Sequence, residues 1–404
     1  MSGGCVLLQA AVVLSPQTLP ADPQQQRWPW WALLPLYPYG TRPTLLRELI
    51  PGRVWSLEQL HGIWYVAVPI RMTVLRVEGG LLLYAPLPPT RELLADLHGL
   101  EEHYGPVISI VLGTSSGLEH KLPVAALARA FPEATLWVSD KQWSFPISLP
   151  STWLGFPRNR TRVLGVDGWP HAEQLVWISL GPIDLGLGCF HEVACIDQAT
   201  GSLLVTDALV SITKTPPPIF DLDPTPLLFH ARQKGSDPLV DSSTMRMRGW
   251  KRIVLFANYF RPQSVRVPSL QQVLQEAIKA EHRRARSHFG IYPFEWSSGW
   301  EEEADQLIDN VLSANGVGLA PVLERLVFPR SKSPFIAWMR SLANASRIDQ
   351  LIAAHYDAPV EITNDSLRTY AAMLEQRQWA PSEGSWQLLA AIDSTLVKWK
   401  LVPN

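Results

Sequence analysis

Residues 107–112 read Val-Ile-Ser-Ile-Val-Leu, an apolar run broken only by Ser109. A run of this length marks a strand covered on both faces, which places it inside an α/β layer rather than at a solvated edge. Its neighbours agree. Residues 62–68 and 72–77 are β-branched and apolar and predict strands. Glu78-Gly79-Gly80 predicts a hairpin turn, and 81–85 the return strand. Thr90 is an N-cap for a helix over 91–104, with Leu93, Leu94, Leu97 and Leu100 on one face. A polar loop follows at 113–121, then a helix near 124–131 and a strand at 135–138. The order β-β-α-β-loop-α-β predicts α/β layering.

Further strands are expected at 175–178, 192–196 and 203–206, with Gly201 turning between the last two. Residues 211–345 open on Pro216-Pro217-Pro218 and lean helical, with an amphipathic stretch at 271–286. No flexible linker bounds them, so they are expected to be a large insertion packed on the core. A last strand at 350–353 leads into Ala354-His355-Tyr356-Asp357, and a helical tail closes the chain. The expected organisation is a wrapping segment over 1–53, the first part of the core over 54–210, the insertion over 211–345 and core completion over 346–404. Trp28, Trp30 and Trp31 lie in a Pro- and Gln-rich lead-in and are expected to dock on the core. The apolar run at 5–14 has no basic residue before it and is expected to be a strand or ordered tail.

Composition narrows the function classes. With 404 residues and 47% hydrophobic content the chain can bury a large core. A formal charge of -2 gives no global attraction to nucleic acid or anionic lipid. Three cysteines, an odd number without Cys-x-x-Cys spacing, predict neither a disulfide framework nor a cysteine zinc site. A reducing, cytoplasmic compartment and no transmembrane segment are expected.

The chemistry concentrates at strand ends. The 113–121 loop follows a buried strand and precedes a helix, a position where α/β sheets bind ligands. Asp207 and His355 also follow strand-like runs. If the three strands share one sheet, Glu119, His120, Asp207 and His355 converge into two imidazoles and two carboxylates, a donor set suited to one Zn, Fe or Mn ion. His230 and Asp223 in the insertion are further candidates, as residues that would cover such a site. Nothing marks an organic cofactor.

These segments resemble the metallo-β-lactamase-like superfamily. The likeness runs through Val77-Glu78-Gly79-Gly80-Leu81-Leu82-Leu83, Leu112-Gly113-Thr114-Ser115-Ser116-Gly117-Leu118-Glu119-His120, Phe131-Pro132-Glu133-Ala134-Thr135-Leu136-Trp137-Val138, Leu204-Val205-Thr206-Asp207-Ala208-Leu209 and Ile352-Ala353-Ala354-His355. It implies an αββα sandwich, here with a large, mostly helical insertion. In that family the loop reads Thr-His-x-His-x-Asp-His and serves two metals. Ser115 and Gly117 stand where two histidines belong, and the third falls near Gly188, with His191 out of register. The resemblance therefore implies a degenerate site with its first metal lost and the second kept by Glu119, His120, Asp207 and His355. Glu119 replaces an aspartate and reaches about 1.5 Å further. More narrowly, the chain is similar to an uncharacterised subfamily of cyanobacteria and plastids, domain of unknown function 4336. That likeness rests on Pro35-Leu36-Tyr37-Pro38-Tyr39-Gly40-Thr41-Arg42, Pro69-Ile70-Arg71-Met72-Thr73, Ser116-Gly117-Leu118-Glu119-His120-Lys121, Gln142-Trp143-Ser144-Phe145-Pro146 and Leu228-Phe229-His230-Ala231-Arg232.

Three functions stay open at this level. The first is a single-metal hydrolase or oxidoreductase of unknown substrate, using one Zn or Fe ion. The second is a non-catalytic binding or scaffold protein of photosynthetic cells, acting on a small molecule or protein partner. The third is a serine hydrolase. Gly113-Thr114-Ser115-Ser116-Gly117 fits G-x-S-x-G, and Asp207 and His355 follow in the matching order. The basic run His282-Arg283-Arg284-Ala285-Arg286 is expected to be a solvated helix end rather than a nucleic-acid or lipid contact.

Overall fold

The structure is a computed structural model that describes residues 42–403 apart from 64, 145–146, 282, 284–288, 313–315 and 380, together with a two-residue strand, β1 (Leu36–Tyr37). The 5–14 run, Trp28, Trp30, Trp31 and, save for Arg283, the basic run at 282–286 lie outside the described residues.

Two sheets carry the fold. The first contains β1, β2 (Leu45–Ile50), β3 (Val54–Ile63), β4 (Val66–Val77), β5 (Gly80–Tyr84), β6 (Val107–Leu112), β7 (Thr135–Val138) and β8 (Thr161–Val163). Its order is β3-β4-β5-β6-β7-β8, with β1 and β2 side by side along the outer edge of β3. From β5 to β8 the pairing is parallel. The second sheet contains β9 (Leu175–Asp184), β10 (Cys189–Asp197) and β11 (Ser202–Val205). Residues 265–266 and 295–296 form a separate ribbon, β12 with β13. The second sheet resumes with β14 (Gln350–Ala353) and β15 (Val360–Glu361), in the order β15-β14-β11-β10-β9.

Side-chain alternation shows how the sheets stack. Leu82, Tyr84 and Val111 of the first sheet share a core with Val193, Cys195, Leu204 and Ile352 of the second. Their neighbours Leu81, Leu83, Ile110 and Leu112 point the other way. They pack on Leu93, Leu97 and Leu100 of the helix Arg91–Tyr104 and on Val124 and Leu127 of Val124–Ala130. On the far side, Ala194, Ile196, Leu203, Val205 and Leu351 pack on the helices Lys332–Ala345 and Asn364–Gln376. The layers run helix, sheet, sheet, helix, an αββα sandwich. Both faces of each central strand are covered, as the 107–112 run predicts.

One strand assignment needs correction. The expected break at 69–71 does not occur, and the strand pair turns over earlier instead, with Ile63 opposite Val66. Gly62 is required there, since a Cβ would sit 1.8 Å from the Val66 carbonyl oxygen. Pro69 is tolerated inside β4 for a geometric reason. The Arg71 N–H donates to the Ala354 carbonyl at 2.7 Å, away from β3. The Pro69 nitrogen, two residues back, faces the same side. The β3 ladder therefore loses no bond, and β5 reaches only as far as Thr73.

β11 pairs in parallel with β14, so the chain between them leaves the second sheet and returns to it. That excursion builds its own aromatic core from Phe220, Phe229, Trp250, Trp296 and Trp300, continuous with Leu60, Tyr65 and Ala67 at the β3–β4 hairpin. The guanidinium of Arg252 lies between Trp296 and Trp300, at 4.7 and 4.5 Å from their centroids. The long helix Ser243–Tyr259 is capped by Ser242, whose hydroxyl accepts from the Met245 N–H. Among the described residues no helix is long and apolar enough to cross a membrane.

Gly249 lets that helix touch the chain at Leu227. A Cβ would meet the Leu227 carbonyl oxygen at 1.9 Å. Replacing a helical Gly by Ala normally gains up to about 1 kcal/mol, and overpacking costs about 1–3 kcal/mol or more. At this distance the clash wins. Gly249→Ala is expected to lower the thermal midpoint by several degrees, and an unchanged or raised midpoint in a melting curve would refute the close crossing.

Candidate metal centre

The 113–121 loop is bound to the second sheet from its first residue. The Val193 N–H donates to the Gly113 carbonyl at 2.7 Å, and the Ser115 N–H to the His191 carbonyl at 2.9 Å. Two buried side chains fix it from the other side. Gln142 Nε2 donates to the Thr114 carbonyl at 2.9 Å. Lys121 Nζ donates to the carbonyls of Ser115 and, at 2.7 Å, of Gln142. Burial lowers the Lys121 pKa to about 8. The loop ends in a short helix, Leu118–Lys121, that carries Glu119 and His120.

Two more buried groups position the remaining residues. Glu192, wholly buried on β10, accepts from the backbone N–H groups of Thr206, Asp207 and Ala208 at 2.8, 3.0 and 2.7 Å. It thereby sets the turn that presents Asp207. Burial and the nearby Asp207 carboxylate raise the Glu192 pKa. Arg71 on β4 donates from Nη1 to the Ala353 carbonyl at 2.5 Å and from Nη2 to the Tyr356 carbonyl at 2.9 Å. Its Nε donates to Glu58 at 3.1 Å, and Glu58 also pairs with Arg47 at 2.9 Å. The loop carrying His355 is held by this buried guanidinium and by a backbone bridge to Ile70.

Glu119, His120 and His355 then meet, and Asp207 adjoins them through His355. His355 Nε2 lies 3.0 Å from Asp207 Oδ1 and 3.2 Å from Glu119 Oε1. The His120 and His355 rings are 5.4 Å apart, edge to face. Donor atoms of Glu119, His120 and His355 all lie within 4.8 Å of one another. His120 Nδ1 is 3.0 Å from the Pro86 carbonyl, which can only accept, so the proton sits on Nδ1 and Nε2 carries a lone pair. That Nε2 is buried and has no hydrogen-bond partner among the described residues. Burial lowers the His120 pKa and so favours the neutral ring. Burial would lower His355 too, but the Asp207 and Glu119 carboxylates reverse this and raise it to about 10. Burial works against ionised Glu119, yet the hydrogen bond and charge of His355 outweigh it and hold its pKa well below the usual carboxylate range.

The residues that the sequence resemblance would assign to a first metal make other contacts. Ser115 Oγ donates to the Cys189 carbonyl at 2.8 Å. Gly117 contributes no side chain. His191 Nε2 lies 2.6 Å from Ser179 Oγ, while its Nδ1 is buried without a hydrogen-bond partner among the described residues. The same contact bears on Ser115 as a nucleophile. Its hydroxyl is engaged by a carbonyl, its φ is not in the left-handed region, and His355 Nε2 faces two carboxylates instead. The described geometry does not bring Ser115 and His355 together as a nucleophile–base pair.

Neither insertion residue named from the sequence lines the site. The His230 ring packs on Phe256 and Phe294, at 5.4 and 5.8 Å, behind the wall that those two present. Asp223 accepts from the Thr225 N–H at 3.1 Å, at the start of the helix Thr225–Ala231. Beside Glu119 and His355 stands His61, at the far end of β3. Its burial, with Arg42 nearby, lowers its pKa to about 3, so it is neutral. Sequence reading missed Arg71, Glu192 and His61. Arg71 alone had a signal, since it lies in the quoted Pro69–Thr73 motif.

Removing Arg71 leaves the buried Glu58 with Arg47 and the Ser56 hydroxyl and frees the carbonyls of Ala353 and Tyr356. Breaking a buried pair of this kind costs about 3–5 kcal/mol. Arg71→Met is expected to lose that much in urea unfolding, and a loss under about 1 kcal/mol would show that the clamp is dispensable.

The family described as Domain of unknown function (DUF4336) matches residues 51–373, well over half of the chain. No curated protein matches. Among solved structures, a metallo-β-lactamase from Hirschia baltica is similar at 12% identity over 44% of this chain and 77% of that one, with a TM-score of 0.31. A metallo-β-lactamase from Pontibacter korlensis is similar at 11% identity over 66% of this chain and 99% of that one, with a TM-score of 0.30.

Proposed function

As a member of the family described as Domain of unknown function (DUF4336), the chain inherits no named chemistry, and we propose from its site that it is a mononuclear metal-dependent enzyme of hydrolase type. The observation that carries this is His120 Nε2. A buried acceptor left without a partner costs about 1–3 kcal/mol. Here it is held in the ligating tautomer by the Pro86 carbonyl, the arrangement that outer partners of metal-binding histidines provide. Glu119, His120, Asp207 and His355 would hold the ion. Two imidazoles with two carboxylates suit Zn or Fe, and the two negative charges offset a divalent cation.

A single ion is favoured over a pair. Ser115 is engaged by a carbonyl, Gly117 has no side chain, and His191 offers one ring nitrogen at most, too few donors for a second ion. The reading is thus of a degenerate site that retains one metal. An ion held there supplies Lewis acidity towards a carbonyl or phosphoryl oxygen. The protein's own groups do the positioning. Pro86 orients His120, Glu192 orients Asp207, and Arg71 fixes the strand end from which His355 projects. His61, neutral and half-buried beside Glu119, is placed to exchange a hydrogen bond with a ligand.

Elemental analysis of protein purified without chelator or affinity-tag metal is expected to find about one equivalent of a transition ion. His120→Ala and His355→Ala are expected to lose it, together with the stabilisation it gives, about 2.7 kcal/mol when free metal is 100 times its Kd. Less than a tenth of an equivalent in the parent, with stability unchanged in both variants, would refute the metal and favour a non-catalytic binding role.

A further inference from the structure

Glu119 and His355 line a cavity of about 690 Å³, within the range of small-molecule sites. Its walls come from two places far apart in sequence. Val66 and Val68 come from the β3–β4 hairpin. Phe256 and Phe260 come from the end of the long insertion helix, and Phe294 from the segment before β13. The polar lining is confined to His61, Glu119 and His355. No lysine, arginine or second carboxylate lines the cavity among the described residues. Such a wall cannot satisfy the many hydrogen bonds of a sugar or the charges of a phosphate ester, and burying either without partners is costly. It suits hydrocarbon.

We infer that the cavity binds an acyl compound, with its hydrocarbon body against Val66, Val68, Phe256, Phe260 and Phe294 and its carboxyl or ester end at Glu119, His61 and His355. The end-group assignment rests on the one-ion reading, because a carboxylate beside Glu119 needs a cation between them. The body assignment rests on the cavity wall alone. The insertion thereby gains a role, since its aromatic residues form the half of the cavity that the sandwich does not supply.

The test uses full-length, metal-loaded protein and calorimetric titration with straight-chain carboxylic acids of six to twelve carbons and the matching alcohols. Each added methylene is expected to tighten binding about fourfold, in acids and alcohols alike. Ala257→Trp, which fills the cavity from the insertion helix, is expected to weaken every ligand at least tenfold. Phe260→Asp, at a half-exposed position that the fold tolerates more easily, is expected to do the same at least fivefold. Affinity that ignores chain length, or that survives both substitutions in folded protein, overturns the inference. Metal removal is expected to weaken the acids and spare the alcohols. Chain-length dependence that persists while metal removal changes neither series would remove the ion and leave the hydrocarbon site standing.

Discussion

The site depends on Arg71. β5 is five residues long and pairs with β4 only as far as Thr73, so the edge of β4 beyond it is unpaired by its own sheet. The chain leaving β14 takes that edge. The Arg71 backbone N–H reaches Ala354, and its guanidinium reaches the carbonyls of Ala353 and Tyr356, on both sides of His355. One residue therefore joins the two sheets at the point where the last candidate ligand emerges. A buried guanidinium is tolerated because Glu58 neutralises it and carbonyls take its remaining donors. Without this seam the two sheets would still share their apolar interface, but the His355 loop would be held only from the second-sheet side, by the bonds of Ala354 to Val205 and of Asp357 to Ser211.

Glu192 is the counterpart on the other side. Its carboxylate gathers three consecutive backbone N–H groups and so holds Asp207 toward His355. The site follows a common logic. Buried charged groups bind backbone, backbone fixes loops, and the loops present Glu119, His120, Asp207 and His355 in a pocket closed by the insertion. Such second-layer contacts matter because ligand geometry has to be held to a fraction of an ångström.

Much of this was legible in the chain. The run at 107–112 announced a strand covered on both faces, and Leu81–Leu83 with Leu204 and Ile352 fill the two sides as alternation requires. Thr90, Gly79-Gly80 and Gly201 marked their cap and turns through local stereochemistry, which sequence records well. Other features were not legible because they arise from contacts distant in sequence. Pro69 reads as a strand break unless the direction of its nitrogen is known. His61 carries no local signal, and it becomes a site residue only when the insertion folds against the β3–β4 hairpin. Gly113-Thr114-Ser115-Ser116-Gly117 matched a nucleophile motif, yet its hydroxyl is engaged by Cys189, 74 positions away. His230 was singled out for chemistry and packs instead among aromatic rings behind the cavity.

The central claim is that one ion, and not two, sits among Glu119, His120, Asp207 and His355. Anomalous diffraction at a metal absorption edge, on crystals of protein purified without chelator, tests it most directly. The account predicts one peak about 2.0–2.1 Å from His120 Nε2 and His355 Nε2. Two peaks about 3.5–4 Å apart, or no peak with His120 Nε2 bonded to water or protein instead, would contradict it.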